Sequence, residues 1–374
     1  MQRLTSEINA ILYPALPNTL GITTVNISGN IIKVKAFLSE RKYKTCDAID
    51  SLSHDGITIL HDLEDIVNYD AFVLMQPPRT SLPKYDVSFI EKAISYALVN
   101  GKIVICNSQL DNDVLKRINQ LEKQHNGNFV YSVPQFVPSE LPKGTFFKPT
   151  ARIIVVGSVI PEVESLPLCY GITQRLAEKY RVLSFTTSDN GNLLGMVPLR
   201  PYLDTHSLGE IERIDALKGI IQKHVQESNP EVILIHIAEA MMEYTEVITQ
   251  GYGIVPYYLS RIIRPDVFAC GFPLNLCNEA VVASISDELN GRYGFAVDIP
   301  FATNVIVDST SAPNPEHVSI VHCDSKLATE FIDPQSPDSA FSVSICIDQR
   351  SIDHVCDMLE KEMEETEQIV AVLN

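Results

Sequence analysis

Arg152-Ile153-Ile154-Val155-Val156-Gly157-Ser158-Val159-Ile160-Pro161-Glu162-Val163-Glu164-Ser165 is the stretch on which the fold turns. Five residues of it, Ile153 to Gly157, form an apolar run that ends on glycine, as a buried parallel strand does. From Ser165 to Tyr180 apolar residues recur at helical spacing, so the stretch predicts a strand, a tight loop and a helix. Directly before it, residues 134 to 149 hold four prolines and one glycine with no strand or helix period, which marks a linker.

The same alternation continues on the C-terminal side. Strands are expected at Val182–Thr187, Val232–Ile237, Val267–Cys270, Phe295–Asp298 and Val305–Val307. Helices are expected at Leu208–Ser228, Ile254–Ile263 and Asn278–Asn290, which gives a doubly wound sheet. After about residue 310 two strands, Val318–His322 and Phe341–Ile347, and an acidic helix from Ser351 read as an appended unit. On the N-terminal side strands are expected at Ala10–Tyr13, Ile31–Phe37, Ala71–Met75, Ile103–Asn107 and Phe129–Ser132. Helices are expected at Ser88–Asn100 and Asp111–Gln124, the second with Asp111 as its cap. The organisation predicted is therefore an α/β chain: a Rossmann-like domain over 1–133, a linker over 134–150, a P-loop NTPase-like doubly wound domain over 151–310, and 311–374 appended.

In such a sheet the ligand sits at the carboxyl ends of the strands, so the turn from Gly157 to Ser165 is where phosphate would be held. A working P-loop presents backbone N–H groups through its glycines, a lysine to the outer phosphates and a Ser or Thr to magnesium. Here Gly157 and Ser165 remain, with Ser158 between. The lysine position is Glu164, the glycine before it is Val163, and Pro161 removes an N–H. A carboxylate at this helix N-terminus suits the helix dipole but repels a triphosphate. Ser188, Asp189, Asn190 and Gly195 follow the second strand of this domain, and His236 and Glu239 follow the third. They complete the candidate cleft, with Glu239 near where a P-loop protein keeps its acidic magnesium partner.

Composition narrows the partners. The 47 acidic and 29 basic side chains give a net charge of −18, which repels a nucleic-acid backbone and an anionic membrane and attracts a basic peptide or protein face. No apolar run reaches the ~18 residues of a membrane span and no signal peptide is visible at the N-terminus, so a cytoplasmic location is expected. The eight cysteines are scattered without a C-x-x-C pair and read as buried thiols. No G-x-S-x-G, H-E-x-x-H or G-x-G-x-x-G occurs, so no metal site or cofactor is expected and no catalytic residue is assigned. In the closing helix, residues at 352, 355, 359, 363 and 370 form an apolar face opposite glutamates 360, 362, 364, 365 and 367.

Several segments carry a resemblance when taken together. They are Ser188-Asp189-Asn190-Gly191-Asn192-Leu193-Leu194-Gly195-Met196, Pro230-Glu231-Val232-Ile233-Leu234-Ile235, Tyr252-Gly253-Ile254-Val255-Pro256-Tyr257-Tyr258, Arg264-Pro265-Asp266-Val267 and Arg292-Tyr293-Gly294-Phe295-Ala296-Val297-Asp298. Ile11-Leu12-Tyr13-Pro14, Gly56 to Glu64 and Asp70-Ala71-Phe72-Val73-Leu74 agree in the first half. In order and spacing, over about residues 10 to 310, the chain resembles the peptide maturation system proteins found with radical SAM maturases in clostridial peptide natural-product operons. The resemblance implies a Rossmann-like domain followed by a dethiobiotin-synthase-like P-loop domain. It also implies an accessory role beside a ribosomally made precursor peptide, a radical SAM maturase, or both, with a homodimer left open. Members of that family keep a Gly-Lys pair where this chain has Val163-Glu164, so nucleotide hydrolysis is not implied. The expectation is a non-catalytic accessory or scaffold protein. The alternative is an enzyme that uses the altered cleft on a non-phosphorylated ligand or peptide.

Overall fold

The computed structural model describes residues 8–15, 22, 24–27, 30–39, 58–76, 87–136, 149–160, 165–243, 252–303, 305–308, 319–323, 344–345, 352–353 and 355–361. The chain forms two compact units, one of residues 1–135 with 189–195 and one of residues 136–188 with 196–374.

In the first unit the strands are β1 (Asn9–Tyr13), β2 (Thr24–Ile27), β3 (Asn30–Leu38), β4 (Thr58–Leu60), β5 (Ala71–Leu74), β6 (Ile103–Cys106) and β7 (Asn128–Tyr131). The order β3-β1-β5-β6-β7 is parallel throughout. β2 runs antiparallel along one end of β3, and β4 pairs parallel with its other end. β5 is Ala-Phe-Val-Leu with every side chain buried, as a strand covered on both faces requires. Helix α1 (Val87–Val99) buries Ile90, Ala93, Ile94, Ala97 and Leu98, one stripe at helical spacing. It packs in one core with Ile11, Tyr13, Phe72, Leu74 and Val104. The helix stops at Gly101, whose φ of 69° is left-handed, while Lys102 N–H bonds the Ala97 carbonyl. Helix α2 (Asn112–His125) follows Asp111, but the Asp111 side chain makes no capping hydrogen bond, contrary to expectation. The sheet reverses its winding between β1 and β5, which makes the carboxyl ends there its natural ligand position.

In the second unit the strands are β8 (Arg152–Ser158), β9 (Val182–Thr186), β10 (Val197–Pro198), β11 (Val232–Ala240), β12 (Val267–Phe272), β13 (Ile299–Ala302), β14 (Val305–Asp308), β15 (Ser319–His322) and β16 (Ser344–Ile345). The sheet order is β10-β9-β11-β8-β12-β13-β16, with every pairing parallel. The helices are α3 (Leu166–Leu176), α4 (Arg200–Asp204), α5 (Glu210–Ser228), α6 (Ile254–Ser260) and α7 (Glu279–Tyr293). Side chains alternate across each strand. Ile153, Val155, Ile233, Ile235 and Phe268 share a core with residues of α5, α6 and α7. Their neighbours Val156, His236 and Thr186 therefore face the other side, where α3 lies on β9 and β11. This is the doubly wound, P-loop-like arrangement, with β8 at the point where the winding reverses.

Two expectations change here. Phe295–Asp298 is not a strand. Gly294, at φ 72°, ends α7, Phe295 fills the core, and Asp298 brackets the start of β12 through two bonds to Phe268, leaving β13 to begin at Ile299. Val305–Val307 lies outside the main sheet and pairs antiparallel with β15. In the stretch expected as an appended unit, β16 joins the sheet beside β13. Residues 352–353 and 355–361 are helical, with Val355, Cys356 and Leu359 buried. Glu360 of that helix meets Lys179 at 2.5 Å, so part of the acidic stripe answers a basic residue of its own chain. Of the described cysteines, Cys106, Cys169, Cys270, Cys277 and Cys356 are buried free thiols, and burial pushes Cys106 up to about 12.

Candidate functional site

Gly157 is the last residue but one of its strand. It lies inside β8, paired with Cys270, and its backbone is not in the left-handed region that requires glycine. A Cβ there would sit in ordinary contact, 3.5 Å from the Phe268 ring. Beyond it the strand ends at Ser158 and the chain bends at Val159 and Ile160. Val159 N–H bonds the Gly271 carbonyl at 2.9 Å, Met241 N–H bonds the Ser158 carbonyl and Met242 N–H bonds the Val159 carbonyl. Val159 and Ile160 bury their side chains in the core. A phosphate nest needs successive N–H groups aimed at the anion, and here Val159 spends its N–H on the sheet. Pro161, Glu162, Val163 and Glu164 lie outside the described residues, so the charge reversal at Glu164 stands on the sequence.

Ser165 sits at the N-terminus of α3 but makes no capping hydrogen bond. Its hydroxyl turns inward and lies 3.0 Å from His236 Nε2, while Ser158 Oγ donates to it at 3.2 Å. The other ring nitrogen, Nδ1, is 2.9 Å from Thr186 Oγ1, which also accepts the Ser188 N–H at 3.0 Å. Each ring nitrogen of His236 thus has a hydroxyl partner that can donate or accept to match either neutral tautomer. All four side chains in this row are buried. Burial alone drives the His236 pKa down to about 3, so the ring is neutral at physiological pH. A base that weak, oriented by a hydroxyl instead of a carboxylate, does little to activate Ser165. The row ties the ends of β8 and β9 to the middle of β11, because His236 and Glu239, expected past that strand, lie within it.

Glu239 is engaged as well. It accepts a hydrogen bond from Thr187 and pairs with Arg200, whose Nε reaches Asp204 at 2.9 Å. The carboxylate expected near a magnesium position is thus neutralised by a guanidinium from α4. Among the described residues no three His, Cys, Asp or Glu side chains converge as metal ligands. Ser165 and Glu239 are the described groups that would meet a magnesium nucleotide, and both are committed to protein, so this donor set does not fit one.

The remaining expected residues separate. Ser188 belongs with His236 and Glu239 in the second unit, whereas Asp189, Asn190 and Gly195 belong to the first. There Asn190 pairs with the backbone of Gln76, accepting its N–H at 2.8 Å and donating to its carbonyl at 2.7 Å. Asn107 Nδ2 donates to the Asp189 carbonyl at 2.8 Å. Asn192 donates to Asn107 at 2.9 Å and to the Ser132 carbonyl at 2.7 Å. Gly195, at φ 79°, lets the chain pass close to Asn26, and Leu194 bridges to Asn26. Asn107 and Ser132 follow β6 and β7 directly and Gln76 lies two residues past β5, so residues 189–195 cap the carboxyl ends of those strands.

Thr186, Arg200, Gln76 and Asn107 were not picked out from sequence. Each is a common residue outside any spaced motif, and only the sheet order brings it to its partner.

No protein-family model and no curated protein matches the chain. Among solved structures it is similar to a DUF1611 family protein from Anabaena variabilis, at 13% identity and a TM-score of 0.56, over 95% of this chain and 100% of that one. It also aligns with a GTPase from Pyrococcus abyssi in apo form, at 11% identity and a TM-score of 0.29, over 52% of this chain and 77% of that one. The first likeness is one of fold. Among the described residues no helix is long and apolar enough to cross a membrane.

Proposed function

We propose that this chain is a non-catalytic accessory or scaffold protein of the cytoplasm, acting in the maturation of a ribosomally synthesised peptide. Its partner in this reading is the precursor peptide or the radical SAM maturase. One observation carries the non-catalytic part: the Ser165 hydroxyl, which a P-loop protein turns toward magnesium, is locked onto a buried, neutral His236. The Glu239–Arg200 pair and the sheet-bonded Val159 N–H support it. The pathway part rests on the ordered segments that resemble peptide maturation system proteins. Reconstituting the peptide modification with and without this chain, in nucleotide-free buffer, tests both. Product yield should depend on the chain and not on added ATP or GTP. A yield indifferent to the chain refutes the accessory role.

A second reading is an enzyme acting on a non-phosphorylated ligand at the same strand ends. The half-buried Thr187–Glu239–Arg200 cluster favours it, since it leaves paired charge near solvent. If Glu164→Gln and Glu239→Gln leave product formation unchanged, this reading is lost.

A further inference from the structure

One exposed arginine on the second unit stands beside two exposed apolar side chains. On α6, Ile254 is 53% exposed and Tyr257 42% exposed, and Arg261 follows immediately after the helix. Spacings of three and four residues put these side chains in one row on the outer face. Tyr258 and Leu259, turned the other way, are buried in the core. The Arg261 guanidinium lies 4.5 Å over the centroid of the Tyr257 ring. At the start of the helix Arg292 sits 5.6 Å over the Tyr252 ring and donates to its hydroxyl at 3.2 Å.

The arginines here differ in what they have left to give. Arg264 donates to the Tyr293 and Ser260 carbonyls, and Arg292 shares itself between Tyr252 and Glu288. Arg213 is held by Tyr258 and the Thr205 carbonyl. The Arg261 guanidinium makes no hydrogen bond or ion pair among the described residues, and its contact there is the Tyr257 ring. Stacked on Tyr257, it is held in place while its fork of donors faces outward, the geometry that takes a carboxylate in bidentate fashion. Beside it are two large apolar side chains in water. Aromatic and arginine side chains together, with an aliphatic neighbour, are the composition of an interface centre rather than of an ordinary surface.

We propose that the Ile254–Tyr257–Arg261 row, extended by Tyr252 and Arg292, is a docking face for an acidic peptide segment. Such a segment would place a Glu or Asp carboxylate on Arg261 and an apolar side chain between Ile254 and Tyr257. The net charge of −18 does not forbid this. At physiological ionic strength charge is screened beyond about 8 Å, so a short peptide feels the guanidinium it touches. A long polyphosphate backbone, by contrast, meets the whole negative surface. The proposal deepens the accessory reading by naming the face and the chemistry of its partner.

Fluorescence anisotropy of a labelled amphipathic peptide, with glutamates and leucines on one face, tests it against the full chain. The same peptide with lysines in place of the glutamates is the comparison. The acidic peptide should bind and the basic one should not. Arg261→Glu should weaken binding about tenfold or more, the scale of one lost charge-assisted contact. Lys116→Glu, which changes net charge equally on the first unit, should leave binding intact. Ile254→Ser should weaken it without altering the far-UV circular dichroism, because the side chain is exposed. The docking face is overturned if the acidic peptide binds no better than the basic one, or if both charge reversals act equally. Sedimentation that finds a dimer dissolved by Ile254→Ser also overturns it, since a second copy would then be the occupant. None of these outcomes touches the accessory reading, which only a yield indifferent to the chain would overturn.

Discussion

Substituting His236 by glutamine should change how stability depends on pH. In the folded chain the imidazole is fully enclosed between Ser165 and Thr186, and burial lowers its pKa from 6.5 to about 3. The unfolded chain takes up a proton near pH 6.5 that the folded chain refuses. A folded pKa below the unfolded one for a base means full stability above about 6.5, with loss as pH falls toward about 3. Each pH unit in that window costs about 1.4 kcal/mol, so the loss by about pH 4.5 is on the order of 3 kcal/mol. Glutamine can engage the same two hydroxyls but does not titrate. Urea unfolding of wild type and His236→Gln, followed by far-UV circular dichroism from about pH 7.5 to 4.5, isolates the effect, because all other titrating groups are common to both. The wild-type advantage at neutral pH should shrink by that amount and can reverse. Parallel profiles would refute the buried neutral histidine.

Gly157→Ala should be tolerated to within about 1 kcal/mol, read as a small shift in thermal midpoint, because the added Cβ meets only ordinary contacts and no positive φ is lost. Gly171→Ala should destabilise by about 1–3 kcal/mol, since its Cβ would lie 2.5 Å from Ile352 Cδ1 in the C-terminal helix. Ile352→Ala in the same chain should recover most of that loss. Asn190→Ala removes both bonds to the Gln76 backbone and should cost about 2–3 kcal/mol, with faster hydrogen exchange at the Gln76 amide.

The sheet was legible because buried parallel strands carry short apolar runs set apart by helical periods. Ile103-Val104-Ile105-Cys106 and Val232 to Ile235 show this most clearly. β2 and β4 were missed because both are short and pair with one edge of β3, where apolar patterning is weak. Phe295-Ala296-Val297 looked like a strand because a residue that plugs a core after a helix has the same composition as one that lies in a sheet. The loop from Gly157 showed in sequence that Val163 and Glu164 stand where a phosphate grip would have glycine and lysine. It did not show what the remaining groups do instead. That Ser165 would turn onto His236, and Glu239 onto Arg200, depends on side chains brought from 71 and 39 residues away. Residues 188–195 read as one loop, yet Ser188 and Asp189 fall in different units, a division that only long-range contacts reveal.

Ser165 and Glu239 of the P-loop-like unit are engaged by His236 and Arg200, so a nucleotide should find no grip there. Isothermal titration of the full chain with ATP and with GTP, with and without magnesium, tests it most directly. No saturable heat and no release of inorganic phosphate are expected under any of these conditions. Micromolar, magnesium-dependent binding accompanied by turnover would contradict it.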